Sequence, residues 1–174
     1  MMKKKILAII GSTKNRSTNW LLVKTLEGLA ADRADITIYE EITALPFFNP
    51  DLDNDMPPET VTQLRDQIRA SDAVIICTPE YVFSLPGVLK NALEWMVSTR
   101  VFAGKPVALL TAAASGEKAH ESLQLIMKTI EGKFDESTSL LIQGAKGKIG
   151  KDERPNEETM GKLSDLLDAL LNKI

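Results

Sequence analysis

One cysteine and one histidine stand in a chain of 174 residues. Cys77 has no partner with which to close an internal disulfide, and together with His120 it falls short of the ligand set of a histidine- or cysteine-based metal site. No metal is expected, and the composition suits a reducing, cytoplasmic compartment. No apolar stretch approaches the roughly 20 residues that span a bilayer. The opening Met1-Met2-Lys3-Lys4-Lys5 is followed only by Ile6-Leu7-Ala8-Ile9-Ile10, too short for a signal-peptide core and without a cleavage-like sequence after it. Charge of one sign is also missing. With 21 basic and 24 acidic residues the net charge is -3, too small to steer the chain toward nucleic acid or an anionic membrane.

What is present is ordinary for a folded protein: 44% hydrophobic and 26% charged residues. A chain of this length buries about 70% of its unfolded surface as one unit, so residues 1–174 are read as a single domain. Residues 4–10 form an apolar run ending at Gly11, the mark of a strand buried on both faces. Leu22, Leu26 and Leu29 then recur on one helical face, with Ser17 or Thr18 as N-cap. Residues 36–39 read as a second strand and 45–58 as a long loop. A helix from Pro58 or Glu59 turns Val61, Leu64 and Ile68 inward, and 73–78 is a third strand. A helix over 85–97, a strand over 106–112, a helix marked by Ala119 to Ile130, a strand over 139–142 and a closing helix over 160–174 complete the series. Five apolar strands alternating with five helices predict a parallel, doubly wound α/β sheet covered on both faces.

Ligands bind such sheets at the carboxyl ends of the strands, which singles out three loops. The first, residues 11–19, has one glycine and is therefore neither a dinucleotide fingerprint nor a P-loop. Its Ser12, Thr13, Ser17, Thr18 and Asn19 offer hydroxyl and amide donors at a helix N-terminus, with Lys14 and Arg16 adding charge, so it reads as an anion cradle or as a capped polar surface loop. The second, 78–86, is stiffened by Pro79 and Pro86 and carries Tyr81 and Phe83. It suits a flat aromatic ligand, or else packs both rings into the core. The third is 112–119. Cys77 reads as a small core hydrophobe, His120 as a solvated or capping side chain, and Lys146, Lys148 and Lys151 as a mobile solvated loop that could also attract the 2′-phosphate of a nicotinamide dinucleotide or an acidic partner. Trp95 and Met96 read as core or as a strip that pairs subunits.

Several motifs stand out: Gly11-Ser12 with Lys14 and Ser17-Thr18-Asn19; Leu45-Pro46-Phe47-Phe48-Asn49-Pro50-Asp51; Ser71-Asp72-Ala73; Thr78-Pro79-Glu80-Tyr81; and Ser84-Leu85-Pro86-Gly87-Val88-Leu89-Lys90-Asn91-Ala92-Leu93-Glu94-Trp95. In these motifs the chain resembles the NADPH-dependent FMN reductases. The likeness runs from Lys4 to about Ile130. It implies a flavodoxin-like fold with strand order 2-1-3-4-5 and FMN as cofactor. Ser12, Lys14, Ser17, Thr18 and Asn19 would sit on its phosphate. Pro79, Glu80, Tyr81, Val82, Phe83 and Ser84 would hold the ribityl chain and ring edge, and Ala112, Ala113, Ala114, Ser115 and Gly116 would close the other side. The implied reaction moves hydride from NADPH or NADH through flavin N5 to a quinone, flavin, azo or similar acceptor. The cofactor carries the chemistry, so no catalytic protein acid or base is expected.

The resemblance further implies a homodimer or homotetramer. Two positions depart from the pattern: Val82 stands where relatives usually have asparagine, and the third loop has Gly116 alone where they are richer in glycine. A flavodoxin-type electron carrier that binds FMN without oxidising nicotinamide is the alternative. A flavin-free interaction protein on the same fold is a third reading.

Overall fold

The computed structural model describes residues 3–174. Five strands, β1 (Lys4–Ile10), β2 (Ala34–Tyr39), β3 (Ala73–Thr78), β4 (Val107–Ala113) and β5 (Ser139–Gln143), alternate with α1 (Thr18–Ala30), α2 (Glu59–Ala70), α3 (Gly87–Glu94), α4 (Glu117–Thr129) and α5 (Glu157–Leu171). The sheet order is β2-β1-β3-β4-β5, and every neighbouring pair is parallel. This is the flavodoxin-like doubly wound arrangement expected from the sequence, with its switch point between β1 and β3.

Side chains alternate across the sheet because successive strand residues point to opposite faces. Leu7, Ile9, Val74, Ile76, Val107 and Leu109 pack with Val61, Leu64, Ile68, Leu89, Leu123 and Met127 of α2, α3 and α4. Ile6, Ala8, Ile75, Ala108 and Leu110 pack with Leu22, Leu26, Leu163 and Leu167 of α1 and α5. Both faces are covered, which is why the central strands read as unbroken apolar runs rather than as alternating ones.

The third helix is shorter than its apolar spacing predicts. It begins after Pro86, its N-cap, and ends at Glu94. The cause lies in another element. Arg65 of α2, a buried cation, donates from Nε to the Trp95 carbonyl at 3.2 Å and again from a terminal nitrogen. The carbonyl at the helix end is thereby satisfied from α2, and the chain folds onward through turns that bury Trp95, Met96 and Phe102. Both Trp95 and Met96 are therefore core, and the indole N–H donates to the Pro46 carbonyl at 2.8 Å. No helix of the described residues is long and apolar enough to cross a membrane.

Candidate functional site

The loops after the strands share one end of the sheet. The first leaves β1 at Gly11, where a Cβ would meet Thr78 Oγ1 at 2.9 Å and Leu89 Cδ2 at 3.0 Å. Only glycine lets this turn lie so close to β3. Ser17 caps α1: its hydroxyl accepts from the Trp20 N–H at 3.1 Å. Asn19 is buried and donates to the Ala112 carbonyl at 3.3 Å and to Cys77 Sγ at 3.5 Å. The amide thus fastens the first turn of α1 to β3 and β4. Burial pushes the Cys77 thiol up to about 12, so it stays protonated and unreactive. Arg16 has a left-handed backbone (φ 48°), forms an ion pair with Glu153 and lies 5.6 Å from the Trp20 ring centre.

The second loop is a tight hairpin. Tyr81 and Ser84 exchange backbone hydrogen bonds, each of 3.0 Å, and the two residues between them, Val82 and Phe83, have φ of 51° and 55°. Two positive φ values in succession define a type I′ turn, which ordinarily takes Asn-Gly. Val82 is 96% exposed and Phe83 74%, so neither the rings nor the valine packs into the core. A β-branched residue in the left-handed region is strained by about 1–3 kcal/mol. Val82→Asn is therefore expected to raise the unfolding midpoint by a few degrees, about 2–4 °C for each kcal/mol relieved, as measured by a thermal melt. A midpoint that falls would mean that valine packs against something at the turn.

Glu80 does not face the same space as its neighbours. Its carboxylate accepts from the N–H groups of Gly116 and Ala119, both at 3.0 Å. The Ala119 N–H, helped by those of Gly116 and Lys118, holds its pKa below the usual carboxylate value. A carboxylate at a helix N-terminus complements the helix dipole, and here it ties the second loop to the third. Gly116 supplies the turn before α4 at φ 88°, where a Cβ would meet Leu141 Cδ1 at 2.8 Å.

His120 is neither solvated nor a cap. Its Nδ1 lies 2.8 Å from Thr111 Oγ1 and its Nε2 3.0 Å from Ser139 Oγ, joining α4 to β4 and β5. Burial lowers its pKa below the ordinary 6.5. Below pH 6.5 the unfolded chain takes up a proton that the native state refuses, so this contribution is complete above that pH and falls away as the pH drops through it. Urea midpoints taken between pH 7.5 and 5 should decline for the wild type and decline less for His120→Gln. Parallel profiles would remove His120 as the cause.

Between these loops lies a cavity of about 330 Å³ lined by Ser12, Lys14, Ser17, Thr18 and Asn19, by Pro79 and Tyr81, by Ala112, Ala113 and Ala114, and by residues 144–147. The five first-loop residues that the resemblance places on the phosphate meet there, while Thr13 and Arg16, also singled out in the sequence, do not line it. Glu80, Val82, Phe83, Ser84, Ser115 and Gly116 do not line it; they form the hairpin and the Glu80 brace beside it. Of residues 144–147 only Lys146 was singled out, within a solvated loop able to attract a phosphate; the other three were missed, because a run of glycine and lysine reads as solvated. Their position directly after the fifth strand was the usable signal, since in a parallel sheet that loop opens on the same end as the others. The lining contains two lysines, several hydroxyls and no carboxylate, beside small alanine walls and the half-exposed Tyr81 ring. That donor set fits a molecule with a phosphate at one end and a flat apolar body.

The fold and cavity define a flavodoxin-like α/β protein with hydroxyls and Lys14 gathered at the N-terminus of α1. The signature of the NADPH-dependent FMN reductases matches residues 4–142, and the chain belongs to that family. It is 39% identical over 129 residues to the NADH:(hydroxy)cinnamate reductase subunit CrdA of Vibrio ruber, covering 72% of this chain and 63% of that protein. It is 34% identical over 114 residues to a quinone reductase of Escherichia coli K12, covering 64% and 61%. The match thus spans about three fifths of the length of these curated relatives. Among solved structures, FerB, a flavoenzyme NAD(P)H:(acceptor) oxidoreductase from Paracoccus denitrificans, superposes with a TM-score of 0.80 at 29% identity, over 97% of this chain and 96% of that one.

Proposed function

We propose that residues 1–174 form a single FMN-binding domain that oxidises NADPH or NADH and reduces a quinone, flavin, azo or similar small acceptor. The observation that carries this reading is the cavity itself: Lys14 and a group of hydroxyls at the N-terminus of α1, Lys146 from the loop after β5, and no acidic lining residue, in a member of this family. Bound FMN would supply hydride acceptance and release at its ring. The protein binds and orients. Ser12, Lys14, Ser17, Thr18 and Asn19 hold the phosphate, where the helix dipole adds to their charge. Pro79 and Tyr81 form one wall and Ala112, Ala113 and Ala114 the other. Glu80, Ser84, Ser115 and Gly116 fix the two loops, and Val82 and Phe83 offer an apolar rim beside the mouth.

The flavodoxin-type carrier is less favoured, because the curated relatives carry reductase names. Steady-state oxidation of NADPH and NADH by the FMN-loaded protein with a soluble benzoquinone separates the two. Turnover dependent on both quinone and flavin supports the reductase, and its absence from protein that retains FMN supports the carrier.

Assembly as a homodimer or homotetramer is part of the proposal. Support comes from an exposed apolar groove between α3 and α4, where Val97 is 58% and Leu125 67% exposed. Sedimentation equilibrium measures the state directly. A cytoplasmic location is proposed from the single, buried Cys77 and is checked by cell fractionation.

A further inference from the structure

We propose that Lys146, on the loop between β5 and α5, is the second phosphate-binding cation of this cavity, reading a terminal phosphate monoester together with Lys14. The assignment rests on the reading of the cavity as an FMN site and takes the FMN 5′-phosphate as the anion.

The loop is built, not loose. The Gly144 N–H donates to the Ala114 carbonyl at 3.0 Å, joining the loop to the cavity wall after β4. Gly144 itself has φ 59°, a left-handed turn that glycine makes without strain. Ala145 is buried, the Gly147 N–H closes a turn onto the Gly144 carbonyl at 2.9 Å, and the Asn156 N–H holds the Lys148 carbonyl at 2.8 Å. Lys146 is thus carried into the cavity lining by a fixed backbone, while its side chain keeps the freedom of an exposed residue.

Charge is what selects the ligand. Arg16, the other cation of the first loop, is paired with Glu153, and Lys148 lies beside Glu158, whose pKa is lowered chiefly by Lys162 and in part by Lys148. Among the described residues Lys14 and Lys146 have no ion-pair partner, and no carboxylate lines the cavity between them. Two ammonium groups drawn to one cavity repel unless an anion joins them. A phosphate monoester carries about -1.5 to -2 charge at pH 7 and would match two lysines and a helix N-terminus, whereas a single lysine would leave part of that charge unpaired.

The test is titration of the apo-protein with FMN and with riboflavin, which lacks the phosphate, followed by flavin fluorescence in wild type, Lys146→Gln and Lys146→Arg. The expected result is an FMN Kd raised at least fivefold in Lys146→Gln and within twofold of wild type in Lys146→Arg, with riboflavin binding unchanged in both. An FMN Kd within twofold of wild type in Lys146→Gln overturns the assignment, and so does equal weakening for riboflavin, which would make the lysine a packing residue. A rise in KM for NADPH but not NADH, with FMN affinity unmoved, would place the cation on the donor's 2′-phosphate and likewise overturn it. Wild-type protein that binds no FMN would overturn the cofactor reading itself, a result distinct from all of these.

Discussion

Replacing Arg65 by alanine is expected to destabilise the protein by about 3–5 kcal/mol, because it strands a buried carboxylate. Arg65 donates to Asp53 Oδ1 at 2.8 Å, and the two side chains are only 7% and 6% exposed. Ser98 donates to the same carboxylate oxygen at 2.8 Å and receives a hydrogen bond from Arg65 at 3.2 Å. The guanidinium also satisfies the Trp95 carbonyl, so one side chain joins α2, the end of α3 and the long 45–58 loop. Against a usual total stability of about 5–15 kcal/mol, this loss would leave a marginal fold. Urea denaturation measures it. Arg65→Met combined with Asp53→Asn should cost less than Arg65→Ala alone, since the pair is then removed without leaving a buried charge. A loss below about 1 kcal/mol for Arg65→Ala would mean that water reaches Asp53 and screens it as at a surface pair.

The second large effect is on cofactor binding. Ser12→Ala combined with Thr18→Ala should raise the FMN Kd at least tenfold, about 1.4 kcal/mol, because hydrogen bonds to a charged phosphate are each worth about 1.5–3 kcal/mol. These two positions are chosen because they line the cavity without holding up the fold. Ser17 is the N-cap of α1, and its loss would remove about 1 kcal/mol of stability along with any ligand contact. Asn19 ties α1 to β3 and β4. The double variant should therefore unfold at the wild-type urea midpoint while binding FMN weakly. An unchanged Kd would place the phosphate away from this helix end.

The five strands and both core faces were legible because burial on both sides leaves uninterrupted apolar runs, as in Val74-Ile75-Ile76-Cys77, whereas the strand order came from the family resemblance. The first-loop residues that line the cavity were legible from donor chemistry at a helix start. Three features were not. The early end of α3 depends on Arg65, thirty residues away in sequence, while the apolar spacing runs on through Trp95 and Met96. Val82 registered as a missing side-chain amide, but the structure makes its conformation matter as well, since its φ of 51° suits asparagine better than valine. Lys146 was legible as a cation able to attract a phosphate, but its place in this cavity was not: glycine and lysine look solvated until the bond from Gly144 to Ala114 brings them there. The first and the last depend on contacts between segments distant in the chain, which no local pattern encodes, while the Val82 turn is local but carries residues that do not signal a type I′ hairpin.

The central claim is that this cavity holds FMN and that the bound flavin takes electrons from NAD(P)H. Purified protein incubated with FMN, desalted and examined by visible absorbance, then treated with NADPH under anaerobic conditions in the same cuvette, tests both halves. A retained flavin spectrum that bleaches on addition of NADPH is the expected result. A protein that emerges colourless and fails to bind FMN on titration, or one whose bound flavin stays yellow with both NADPH and NADH, would contradict it.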